Sequence, residues 1–128
     1  MADIEPNEIQ RAALLSAAAD NDEPVVMVNL LRFGPGGAEN YRRYAIEVQP
    51  FLETVGATVL YAGDASHVVA GDINEAWWNA IVVVRYPSRG AFVAMASNPD
   101  YQKKAHPHRV AALETTHLIA TDPWKLGH

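Results

Sequence analysis

No cysteine occurs among the 128 residues, which removes disulfide scaffolds, thiol catalysis and thiolate zinc sites at once. Basic side chains are scarce as well: ten Lys and Arg stand against fifteen Asp and Glu, a net charge of −5. Phosphate backbones and anionic lipid attract clustered cations, so neither nucleic acid nor membrane is an expected partner. No apolar run approaches the roughly 18 residues that span a bilayer, and the acidic opening MADIEPNEIQ lacks the basic start of a secretory signal. A soluble cytoplasmic protein is expected. Nucleotide-binding and nucleophile-elbow motifs are missing too. GPGG at Gly34 to Gly37 has no following lysine and reads as a turn, and no cofactor is expected.

What is present is one globular domain with apolar strands. PVVMVNLLRF, from Pro24 to Phe33, is apolar on both faces, with Val25, Met27, Leu31 and Phe33 on one side and Val26, Val28 and Leu30 on the other. Such a strand is covered on both sides. WWNAIVVVRY, from Trp77 to Tyr86, repeats the pattern, with Trp78, Ala80, Val82, Val84 and Tyr86 sharing a face. Between them GPGGAEN opens a helix whose stripe is Tyr41, Tyr44, Ala45, Val48, Leu52 and Val55, ended by Gly56. Pro50 should kink or break it. Ala57 to Gly71 reads as an extended segment with a bulge at GDAS and a turn at DINEA.

After Tyr86, Pro87 and Ser88 open a short helix anchored by Phe92 and Met95, and Asn98 and Pro99 cap another that Pro107 should bend. TTHLIAT, from Thr115 to Thr121, is the last strand. Residues 1–23 read as an N-terminal helical appendage, with Pro6 at its first turn and Ile9, Ala13 and Ala17 as its stripe. Residues 24–128 then run strand, helix, strand, strand, helix, strand. That order is the α+β, ferredoxin-like βαββαβ pattern, an antiparallel sheet with helices on one face. Strands apolar on both sides predict a second sheet against the bare face, hence a homodimer.

Asn29 is the first polar candidate, an amide in an apolar strand that must find partners in helix packing, water or a ligand. Arg32 lies on the opposite face of a regular strand, so both line one cavity only if a bulge intervenes. Tyr44, Tyr101 and Trp78 could shape a pocket, or serve as core and interface packing. His106, His108 and Arg109 form the most chemically suggestive cluster. Two imidazoles could act as acid and base near neutral pH. The spacing Tyr101, Ala105, His108, Ala112 makes His108 the more buried and His106 the more solvated. A metal would need further ligands such as His67, His117 or Asp100, and no ligand spacing supports one. None is expected.

The NLLRF of the first strand, Tyr41 and Tyr44, the RYPS of Arg85 to Ser88, the NPDYQ of Asn98 to Gln102 and the HR of His108 and Arg109 together resemble domain-of-unknown-function family 1330, in the dimeric α+β barrel superfamily. The resemblance spans about Val25 to Leu118 and departs from the usual pattern where Gly56 is followed by Ala57 instead of a second glycine. It implies a ferredoxin-like protomer facing its twin, and relatives that include cofactor-independent monooxygenases and isomerases. Two function classes fit the residues. One is a small-molecule-binding protein acting as a cofactor-independent enzyme on a hydrophobic carbonyl or phenolic metabolite, and the other a non-catalytic structural or binding homodimer.

Overall fold

The structure, a computed structural model, describes residues 4–72 and 77–126. Its elements are α1 (Glu8–Asp20), β1 (Val25–Phe33), α2 (Gly37–Thr54), β2 (Thr58–Asp64), β3 (Ala80–Tyr86), α3 (Arg89–Ala96), α4 (Pro99–Lys104), α5 (His106–Ala112) and β4 (Leu113–Thr121). The four strands form one antiparallel sheet in the order β2-β3-β1-β4, the ferredoxin-like arrangement that the element order predicts.

The pleat of β1 decides which side chains meet the helices. Val25, Met27, Asn29 and Leu31 are buried on the helix side, while Val26, Val28, Leu30 and Arg32 are only half-buried on the other. Register carries this to the neighbours. Val82 and Val84 of β3 and Leu118 and Ala120 of β4 share the helix side, and Ile81, Val83, His117 and Ile119 share the bare side. The helix-side core falls into two clusters. One gathers Val25, Met27, Tyr44, Val48, Leu52, Val84, Tyr86, Met95, Tyr101 and Ala105, and the other Leu31, Ala80, Ala112 and Leu113. Asn29 lies between them along β1.

Several boundaries differ from the sequence reading. α1 starts after Asn7, whose side chain accepts from Gln10 N at 2.8 Å while Gln10 Oε1 accepts from Asn7 N at 2.9 Å. That capping box displaces Pro6 to the segment before the helix. Ile9 is 82% exposed, so the stripe read through it does not face the core; α1 packs against α3, and Leu14 and Leu15 turn towards the interior space. α2 runs unbroken through Pro50. Ile46, whose carbonyl loses its usual donor, is exposed, so water can satisfy that group and no break is forced. Pro107 behaves otherwise. It occupies the first turn of α5, and the helix stops and restarts at Ala105.

The second strand is shorter than read. It ends at Asp64, and its irregularity lies between Val59 and Tyr61 rather than at GDAS; positions 73–76 of the expected turn lie outside the described residues. β3 begins at Ala80 instead of Trp77, and β4 two residues earlier than Thr115. At the start of α2, Gly36 adopts φ +70°, and a Cβ on Gly37 would overlap the Ala112 carbonyl oxygen and Phe33 Cβ. This close approach seats α2 against α5 and explains the paired glycines.

Arg89, buried at the start of α3, grips Asp122 through two parallel bonds, Nη1 to Oδ1 at 3.0 Å and Nη2 to Oδ2 at 3.2 Å. These bonds hold the Asp122 carboxyl below its usual 3.8. A depressed folded-state value stabilises the fold above the unfolded value, and that contribution disappears as pH falls through the folded one. Asp122→Asn is therefore expected to lower the denaturation midpoint at neutral pH, with the difference from the parent closing below pH 3.8. Equal midpoints at neutral pH would show that the pair contributes nothing.

Candidate functional site

A cavity of about 1060 Å³ lies between the helix side of the sheet and the helices. Its walls are mostly apolar, built from Met27, Leu31, Val82 and Val84 of the sheet, Val48 and Leu52 of α2, and Phe92 and Met95 of α3. Polar groups collect where α2, α4 and α5 approach β1. Asn29, Tyr41, Tyr44, Tyr101, His106 and Arg109 all line this region.

The local structure explains each position. Tyr44 follows Tyr41 by nearly one turn of α2, which stacks their rings with centroids 5.2 Å apart. Tyr101 on α4 reaches across to Tyr44, with hydroxyls 2.9 Å apart. Tyr101, Ala105, Arg109 and Ala112 are buried at helical spacing, a stripe that continues across the break at Ala105. His106 lines the cavity and His108 does not, while both are half-buried, so the expected difference in burial is not seen. His106 also packs on Tyr101, centroids 5.9 Å apart.

Asn29 is 8% exposed. Its Nδ2 donates to the Val82 carbonyl at 3.1 Å, and its Oδ1 accepts from Arg109 Nη2 at 3.5 Å. The amide thus ties β1 to β3 and α5 while still lining the cavity. Asn29→Leu leaves the Arg109 contact and the Val82 bond unmade, and denaturation should show a loss of about 1–3 kcal/mol. A variant of unchanged stability would mean these bonds are balanced by others.

Burial raises all four enclosed phenols. For Tyr41 it outweighs the pull of Arg109, and Tyr44 lies well above the ordinary value through burial reinforced by Tyr101. Tyr86 and Tyr101 are raised by burial also. All four are neutral hydrogen-bonding groups at neutral pH.

The N-terminal segment supplies a group that sequence reasoning missed. Glu5 Oε1 lies 2.6 Å from His106 Nε2, and the Ile4 carbonyl lies 3.4 Å from Arg109 Nη1. Glu5 is separated from His106 by a hundred positions in no helical or strand register, so no periodicity could have paired them. A carboxylate accepting from Nε2–H fixes the tautomer and leaves Nδ1 with the free lone pair.

Three residues read as site candidates are not brought here. Arg32 points to the bare side of the sheet and pairs with Glu114 at 3.6 Å; β1 is regular up to Arg32, so nothing turns that side chain inward. Trp78 precedes β3, escapes its alternation and packs on His117 with centroids 5.0 Å apart. His108 is half-buried away from the cavity lining. Among the described residues, no group of three His, Asp or Glu side chains is placed to hold a metal ion. No helix among them is long and apolar enough to cross a membrane.

The profile of the family described as Domain of unknown function (DUF1330) matches residues 36–122, from the start of α2 through β4. The chain belongs to the DUF1330 family. Two crystal structures of RPA0582, a protein of unknown function from Rhodopseudomonas palustris, are similar to this DUF1330 chain over nearly its whole length. They are 31% and 30% identical with TM-scores of 0.87 and 0.85, and cover 99% and 98% of this chain and 98% and 99% of their own. A dimeric ferredoxin-like protein of unknown function from Jannaschia sp. CCS1 has a TM-score of 0.59 at 11% identity, over 78% of this chain and 99% of its own. That likeness establishes the fold. No curated protein matches the chain.

Proposed function

We propose that this DUF1330 protein binds a hydrophobic carbonyl or phenolic metabolite in the cavity and acts on it as a cofactor-independent enzyme that moves a proton. The observation that carries this reading is the convergence of Asn29, Tyr44, Tyr101, His106 and Arg109 at one end of a mostly apolar cavity. The apolar walls would hold the body of the molecule. His106, oriented by Glu5, removes a proton from the carbon beside the carbonyl. Arg109 and the neutral phenols stabilise the oxyanion that forms. Return of the proton to a different carbon completes an isomerisation. In the monooxygenase variant dioxygen is the co-substrate: a CH₂ group becomes C=O, and the second oxygen atom leaves as water with the two hydrogens.

The test is exchange in heavy water. A panel of apolar ketones and phenols is incubated with the protein and followed by NMR, and at least one member should exchange its activated C–H faster than in buffer. No acceleration for any member would remove the catalytic reading and leave a binding protein.

The bare side of the sheet supports a homodimer. Val26, Val28, Leu30, Ile81, Val83 and Ile119 form a continuous apolar face across β3, β1 and β4, and Ile119 is 43% exposed in the single chain. Covering it with a second copy removes that surface from water. We read the setting as cytoplasmic, and the described part of the N-terminal helical segment, residues 4–23, would serve as a cover over the cavity rather than as a unit of its own.

A further inference from the structure

Two arginines are buried, and among the described residues only one has a carboxylate partner. Arg89, 8% exposed, is matched by the Asp122 carboxylate in a two-bond grip. Arg109, 6% exposed, forms none of the ion pairs among the described residues. Its partners among the described residues are the Ile4 carbonyl at 3.4 Å, the Asn29 amide oxygen at 3.5 Å and the Tyr41 phenol. All are neutral, and the contacts to Ile4 and Asn29 are at the long end of hydrogen bonding. The Glu5 carboxylate, which lines the same cavity, is engaged by His106. The surrounding phenols stay protonated and cannot neutralise the charge.

A guanidinium is ionised at every physiological pH, and burying it without an anion is costly unless something else supplies the charge. Arg109 lines the cavity, so that charge can come from whatever enters. Its planar fork of donors matches a carboxylate. Resting on the cavity reading above, we infer that the ligand is a monocarboxylate with an apolar body, its carboxylate seated on Arg109 in place of the weakly held Ile4 carbonyl and its hydrocarbon part against Met27, Val82 and Leu52.

The test compares straight-chain and aromatic monocarboxylates with their primary amides by titration calorimetry on the full chain. The pairs share shape and differ in charge. At least one acid should bind about tenfold or more tightly than its amide. Arg109→Gln should erase that preference, and Arg109→Lys should keep part of it, since the charge stays and the fork is lost. Acids and amides binding equally well would overturn the inference and leave the cavity reading standing. A preference that persists in Arg109→Gln would overturn it as well, and so would no binding by any pair, while the exchange test on ketones and phenols decides the cavity reading separately. If Arg109→Gln does not fold, the acid–amide ratio in the parent and in Arg109→Lys decides.

Discussion

Val28→Asp is expected to convert the protein from dimer to monomer. Val28 sits at the centre of the bare side, opposite Val83 on β3 and Ile119 on β4. A carboxylate there would be buried without a partner in a face-to-face pairing of sheets, at a cost of several kcal/mol. Dissociation should strengthen by at least about a hundredfold, read by sedimentation across a concentration series. The helix-side core does not include Val28, so the monomer should remain folded. A parent protein that is itself monomeric, or a Val28→Asp dimer as tight as the parent's, would contradict the proposed interface.

His106→Gln carries the other large effect. The substitution keeps a hydrogen-bonding group beside Glu5 and Tyr101 but supplies no base, so proton exchange on the responsive substrate should slow by about a hundredfold or more. Binding of that substrate should change little, because the apolar walls and Arg109 are intact. A variant that exchanges at the parent's rate would move the base elsewhere, with the Glu5 carboxylate the next candidate at that end of the cavity. Loss of binding together with exchange would mean that His106 positions the ligand rather than deprotonating it.

The fold was legible because its signals are local. Two-sided apolar strands, the Tyr41 to Leu52 stripe and the Asn98–Pro99 cap each predict an element from neighbouring residues alone, and their order leaves few topologies. The site was legible in part for the same reason. Asn29 stands out as the one amide on the buried face of β1, and Tyr44 and Tyr101 mark facing helix positions. The rest turns on which way a face points. On α5 the buried stripe includes Arg109 and leaves His106, not His108, at the cavity; the late start of β3 releases Trp78 from the strand's alternation; and α1 turns Leu14 inward instead of Ile9. Glu5 and Ile4 reach the site from the irregular segment before α1, which leaves no periodic pattern in the sequence.

The central claim is that the polar end of the cavity, where Arg109 and His106 meet Asn29, is where this protein holds its ligand. A crystal structure with the tightest-binding carboxylate tests it most directly. The account predicts density for the molecule between β1 and α5, with its carboxylate against the Arg109 guanidinium and its hydrocarbon part along Met27 and Val82. A ligand seated on the bare side of the sheet, or a cavity that stays empty at saturating concentration, would contradict it.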